Sequence, residues 1–570
     1  MDHQKSYSYS AWSIWFCLLC SLPLAWLYTW HDAHTVNLLD GDARYYYYYL
    51  QSTFIDPSLA GNDWLNSATP LSHHPAGLAI LWLPFFLVAH VAALLFHYPL
   101  TGLSLPYQVA IASAALCYGM LALVYLRRLL QQSSVRDSVI ALILPLTYLG
   151  TTLLHYTLHE SGMSHVYSFF LITAFLFHSK SYVSSRTPRH LYLSAFFFGL
   201  ILLVRLNNVF VIFTLLFWFS DFQQFRQFFQ NLWRSRTFYK AIAVLAAIVA
   251  IQPLVWLWKE QVLFANRYAP YGFYWTKPAF VEMLFGFNAG FFIYSPLCLV
   301  FLAGLAVTFR KTRFFFYSGL FFVAALFYFF SAYSAYTYYD GIGIRVLVDY
   351  YAVFALFGAK LFQALEAHKA AFVATGTLSA ALLVLNLVYA YQGSHSILLR
   401  SGMTFNQWKY VFLHTGKAYE NSLGGCKDLM PYAKEPVSAS LSADASASLP
   451  FDYARKDFGL MLAFDSIRFT AKRVCMKINL TRREAFMNAS RNALVCAELQ
   501  NSSGKRKAYS QFRLNETPAT TCCQQQEYHY TTNMEGSFET GDRLAVYLWN
   551  PNKQPFQIDT FSVNIYHYPY

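Results

Sequence analysis

Eleven apolar runs alternate with short polar breaks along the chain, and the pattern stops near residue 391. Near-continuous Leu, Phe, Ala and Val without period-two alternation reads as helix, and runs approaching 20 residues read as membrane spans. The candidate spans are 11–30, 107–127, 137–154, 165–179, 191–204, 208–220, 240–258, 291–309, 314–331, 347–363 and 371–391. Several are shorter than the roughly 20 residues a straight helix needs, which predicts tilted or broken helices around 191–220. A further run, Pro75–Phe96, does not fit the alternation. Its Pro84 predicts a juxtamembrane or re-entrant helix pair inside a long first external loop. The alternative is a true crossing, with the charge rule inverted downstream.

Beyond residue 391 the period changes. "TFNQWKYVFLHTGKAYENSL" has the spacing of a short amphipathic helix. Ser438–Leu449, "SASLSADASASL", reads as a small-residue linker. From Phe451 to Tyr570 short alternating segments such as "RLAVYLW" are separated by turn-rich stretches, the pattern of a β-sandwich or jelly roll. The expected fold is therefore an all-α polytopic membrane domain (1–398, about 11 spans plus juxtamembrane helices), a helix and linker (399–450), and a small all-β domain (451–570).

The chain is 56% hydrophobic and 12% charged, too apolar for an ordinary soluble protein. Its net charge of +13 does not imply nucleic acid, because the basic residues fall in clusters between apolar runs. These are Arg127, Arg128 and Arg136; Lys180, Arg186 and Arg189; Arg226, Arg234, Arg236 and Lys240; Arg310, Lys311 and Arg313; Lys360 and Lys369. The positive-inside rule then puts the N-terminus in the cytoplasm and the C-terminal domain outside a plasma (inner) membrane, with a secondary role for the cations on anionic lipid. Cys17, Cys20, Cys117 and Cys298 lie in apolar runs and read as packing residues. Cys426, Cys475, Cys496, Cys522 and Cys523 lie in the polar part; five is odd, so at least one is unpaired within the chain.

On this topology the loops with unusual chemistry share the outer face. "DGDARYYYYYL" (Asp40–Leu50) follows the first span, and a helix there puts Asp42, Tyr45, Tyr46 and Tyr49 on one side. Two readings stand: an aromatic belt beside solvated acids, or a carboxylate facing a cavity as general base. Asp40 precedes Gly41 and suits the cap of that helix, so on the second reading Asp42 is the essential acid.

The stretch "GDARYYYYYL", then "GNDWL", then "HHPAGLAILWLPFF" resembles the first external loop of GT-C glycosyltransferases. It is most similar to the family 39-like branch that holds protein O-mannosyltransferases and aminoarabinose transferases. "GD" stands where that branch has "DE", and "HHP" where it has "KPP". The resemblance implies a polyprenyl-phosphate-linked sugar donor used on the non-cytoplasmic face. It further implies a first-loop acid, Asp42 or Asp40, that activates the acceptor for inverting attack, with Glu160 of "LHESGMSH" as a second acid. The acceptor (glycan, lipid or protein) is left open.

A lipid-phosphate leaving group requires cations, for which Arg205, Arg345 and Lys277 lie on the proper face. Interfacial snorkelling for Arg205 and Lys277, and an Arg345–Asp349 pair at i,i+4, are the plain alternatives. Tyr45, Tyr49, Tyr339 and Asp340 are candidate sugar contacts. The sequence points to no definite cofactor; Glu160 with His159 and His165 is a weak candidate for a divalent cation. An oligosaccharide transferase or polymerase fits the same residues. A lipid-linked sugar flippase would instead show inverted repeats and charges deep in spans, and a scaffold would need no loop acids.

Overall fold

A computed structural model describes residues 8–30, 38–39, 42–56, 74–265, 272–310, 312–337, 341–398, 403–419, 439–444, 451–452, 457–486, 489–490, 493–514, 523–551 and 553–567. The chain divides into two compact units, one formed by most of the first 413 residues and the other centred on His414–Tyr570.

The first unit is helical: α1 (Tyr9–Tyr28), α2 (Asp42–Phe54), α3 (Gly77–Leu95), α4 (Leu105–Gln132), α5 (Asp137–Leu149), α6 (Leu153–Leu158), α7 (His165–Ser185) and α8 (Pro188–Val204) come first. A 3₁₀ helix, Leu206–Trp218, precedes α9 (Phe222–Trp233), α10 (Arg236–Val249) and α11 (Ile251–Glu260). Then follow α12 (Phe280–Phe285), α13 (Phe291–Tyr294), α14 (Leu297–Thr308), α15 (Arg313–Ala332), a short 3₁₀ turn Arg345–Tyr350, α16 (Tyr351–Leu365), α17 (Lys369–Ser394) and α18 (Phe405–Val411). Seven helices among the described residues are long and apolar enough to cross a membrane, and eight if the 3₁₀ helix and α9, bent by 110°, count as one.

The ends of these helices carry the expected punctuation. Pro106 and Pro188 stand in the first turns of α4 and α8, where their missing N–H costs nothing. Asp221 caps α9 by accepting from the Gln224 amide at 2.8 Å, and Thr404 with Gln407 forms a capping box on α18.

Polar contacts sort the bundle into two ends. At one, Asp137 accepts from Ser8 and Ser10, which also accept from Arg127, tying the starts of α1 and α5 to the end of α4. Lys360 donates to the Ser133 carbonyl there at 3.1 Å. At the other, Thr29 donates to the Leu158 carbonyl at 2.6 Å and His159 to the Tyr28 carbonyl at 3.0 Å.

Pro84 does not split α3, contrary to the expectation of a broken pair. Trp82 and Phe86, on either side of it, are buried against Tyr47, Tyr107 and Tyr167, and this packing holds the helix through the missing hydrogen bond. The start of α3 abuts the end of α8, where a Cβ on Gly77 would lie 2.6 Å from the Leu203 carbonyl. Tyr118 then donates to the Leu81 carbonyl, and His90 meets Tyr107 at 2.7 Å. α3 thus accompanies only the first half of α4, on the side of the bundle that holds α2.

The second unit is a sandwich of two antiparallel sheets. Its strands are β1 (Ala439–Asp444), β2 (Phe451–Asp452), β3 (Phe458–Phe464), β4 (Ala471–Glu484), β5 (Leu494–Gln500), β6 (Arg506–Arg513), β7 (Gln525–Phe538), β8 (Arg543–Trp549) and β9 (Phe556–His567). One sheet runs β1-β9-β4-β7 with β2 also on β9; the other runs β3-β8-β5-β6. Leu544, Val546 and Leu548 of β8 alternate inward, as period two requires. In β9 the inward set changes phase between Ile558 and Phe561, where the register against β4 shifts at a bulge between Thr481 and Arg482. β1 lies inside the segment expected as a linker. Its Ser/Ala sequence suffices because an edge strand is held by backbone bonds to β9, while Leu441 and Ala443 add apolar contact. Cys475 and Cys496 are buried free thiols; Cys523 is disulfide-bonded.

Candidate functional site

The tyrosine run is not an interfacial belt. Tyr46, Tyr47, Tyr48 and Tyr49 of α2 are each less than 7% exposed, so the helix is wrapped by protein on several sides. Tyr45, Tyr46 and Tyr49 do share a face, and that face is filled by His74. The Tyr45 ring stacks on its imidazole at 4.0 Å, Tyr46 meets it edge-on, and Tyr49 donates to its carbonyl. His74, buried at the entry to α3, anchors α2 through these contacts. The departure "HHP" marked this position but not its role.

Asp42 opens α2, and its Oδ2 accepts from Arg345 Nη2 at 2.7 Å, across 303 residues of sequence. The Asp42 side chain is 25% exposed and that of Arg345 11%, so the pair borders open space. The loop after α6 closes on the same place. A Cβ on Gly162 would lie 2.1 Å from the Leu38 carbonyl oxygen and 2.6 Å from Ala43 Cβ, so only glycine lets this loop seat against α2. Met163 Sδ is 3.7 Å from Arg345, and Glu160 lies 3.5 Å from His155 Nε2.

One turn beyond Arg345, Asp349 is fully buried and collects donors from three elements. His165 Nδ1 is at 2.8 Å, Asn208 Nδ2 at 2.7 Å and Arg205 Nε at 3.7 Å. Arg205 also donates to Ser164 at 3.0 Å. The alternative of an Arg345–Asp349 pair is not what forms. Their segment is 3₁₀, at about three residues per turn, so i and i+4 diverge and each side chain takes its own partner. Tyr156 completes the floor, donating to the Ile342 carbonyl at 3.1 Å beside the His165 ring.

Asp42, Arg345, Arg205 and Glu160 are thus gathered at one end of the bundle with Asp349, His165 and Asn208. Lys277 is not drawn in; it is exposed in the turn before α12, and its loop is tied by backbone bonds to the end of α15. The expected cation pair of Glu160 and His165 does not assemble, since His165 is committed to Asp349. No group of three metal-donor side chains occurs among the described residues. Asp40, Tyr339 and Asp340 lie outside the described residues, as do "GNDWL" and His73. Sequence reasoning treated Asp349 only as a partner for Arg345 and did not single out Asn208. A carboxylate inside the apolar run "RVLVDYYAVFALF" is the sequence signal for a buried role of Asp349; Asn208 carries none.

Chemically the site offers a part-exposed carboxylate on one nitrogen of the Arg345 guanidinium, with a second guanidinium, Arg205, held against the neighbouring Asp349. A guanidinium exchanges one anion for another of matching geometry, a carboxylate for a phosphate. No family model matches this chain, and no curated protein matches it.

Proposed function

We propose that the protein is a GT-C-type glycosyltransferase that moves a sugar from a polyprenyl-phosphate donor to an acceptor on the non-cytoplasmic face. The observation that carries this reading is the Asp42–Arg345 contact, which joins the first-loop acid to the cation of a motif 303 residues away. In the proposed cycle the donor phosphate displaces Asp42 from Arg345, with Arg205 as second cation. The freed carboxylate accepts the acceptor's proton as the acceptor oxygen bonds the anomeric carbon. The bond from that carbon to the phosphate oxygen breaks with inversion, and the leaving lipid phosphate keeps its electron pair against Arg345.

The same reading takes about eleven crossings, α3 remaining on the outer side, with the N-terminus cytoplasmic in an inner membrane. The Cys523 disulfide supports an oxidising compartment for the β unit, which we take as jelly-roll-like. The test uses the full chain in lipid nanodiscs with a panel of labelled polyprenyl-phosphate sugars and cell-envelope acceptors. Wild type should consume one donor, and Asp42→Asn and Arg345→Gln, equally well folded, should not. Turnover by both variants at the wild-type rate would overturn the assignment.

A further inference from the structure

The opposite end of the helical unit holds a cavity of about 790 Å³ that the transfer reaction does not use. We propose that it binds the phosphate of an anionic lipid headgroup. It opens among the ends of α4, α7, α14 and α16 and the start of α15. It is a separate site, for Lys180 on its wall is fifteen residues along α7 from His165, about 22 Å at the rise of an α-helix.

Four cations, Arg136, Lys180, Arg313 and Lys360, line the cavity against the single carboxylate of Glu366, which Arg136 engages at 3.3 Å. Among the described residues no carboxylate pairs with the other three. The Lys180 ammonium lies 4.7 Å over the Trp218 ring, and Lys360 donates to a backbone carbonyl, the Ser133 oxygen. Lys180 and Lys360 are half-buried without counter-charge, which is costly, and a bound anion removes that cost. The first turn of α15 adds donors: Thr312 makes no side-chain cap there, and Arg313, Phe314 and Phe315 line the cavity.

A lipid, rather than free phosphate, is favoured by what adjoins it. Phe219 also borders a second cavity of about 160 Å³, whose lining is almost wholly apolar, including Phe175, Phe198 and Phe228. A charged chamber beside a greasy slot matches a phosphate ester followed by a hydrocarbon chain. The inference does not depend on the glycosyltransferase reading.

The experiment titrates the detergent-purified full chain with dioctanoyl phosphatidate, dioctanoyl phosphatidylcholine and inorganic phosphate, reading thermal protection. Phosphatidate should protect the wild type, and Lys180→Gln, Lys360→Gln and Arg313→Gln should each weaken its apparent affinity by about tenfold, the loss of one charged hydrogen bond. Lys180→Arg should restore it. Arg313 is exposed, so its variant reports even where a lysine variant misfolds. Protection by inorganic phosphate equal to that by phosphatidate keeps the phosphate site and overturns the lipid. Equal protection by phosphatidylcholine, or unchanged affinity in the folded variants, overturns the site.

Discussion

Asp42→Asn tests two consequences of one contact. In the resting protein Asp42 competes with the donor phosphate for Arg345, at 2.7 Å. A charge-assisted hydrogen bond contributes about 1.5–3 kcal/mol. With a quarter of the Asp42 side chain exposed, solvent screening favours the low end, about 1.5 kcal/mol. Removing the competitor should therefore tighten donor binding by up to about tenfold. The same change removes the proton acceptor, so turnover should fall by about 10²–10⁴-fold. Arg345→Gln should do the reverse to binding, weakening the donor by about tenfold or more while leaving the carboxylate in place. The assay is donor affinity by equilibrium binding in nanodiscs, alongside single-turnover rates at saturating donor. Weaker donor binding in Asp42→Asn, or unchanged single-turnover rate, would refute the exchange of carboxylate for phosphate on Arg345.

Asp349→Asn should lower stability by about 3–5 kcal/mol, because Arg205 loses a buried counter-charge; denaturant melts of the purified chain measure it. Gly162→Ala should cost about 1–3 kcal/mol and most transfer, since its Cβ meets Leu38 and Ala43, whereas Gly376→Ala, with nothing within 4 Å, should be neutral or slightly stabilising. Deleting residues 439–450 from an isolated β unit should lower its Tm by about 5 °C through loss of β1 from β9, read by circular dichroism. Hydrogen bonds from Arg506 and Gln500 hold the Glu498 carboxyl below its ordinary range. Its contribution is therefore present above the unfolded carboxyl pKa and lost as pH falls through the lower folded one; the Tm drop on acidification should shrink in Glu498→Gln.

The helical unit was legible because long apolar runs and basic ends leave strong linear signals, although the runs 137–154, 240–258 and 291–309 are each shortened or divided in the structure. Arg205, Arg345 and Glu160 were legible as charges beside apolar runs. Their partners were not, since nothing in "RLNN" or "LVDY" says that Asn208 and Asp349 meet. The tyrosines misled because a run of aromatic residues beside a span looks the same whether lipid or His74 covers it. Pro84 misled because a helix break depends on neighbours, here Tyr47, Tyr107 and Tyr167, that come from distant segments. The strand in "SASLSADASASL" was hidden because an edge strand needs backbone partners more than side chains.

The 13-residue 3₁₀ helix Leu206–Trp218 is a tie rod set to one length. At about 2.0 Å per residue it reaches ~26 Å, against ~20 Å for the same residues wound as α-helix. Its near end presents Asn208, beside Arg205, to Asp349, and its far end presents Trp218 to Lys180. Rewinding it would draw the two ends ~6 Å closer, so one grip must open. Amide hydrogen exchange along 206–218, with and without anionic lipid, reads which winding is held; identical protection in both states would mean that the rod does not adjust.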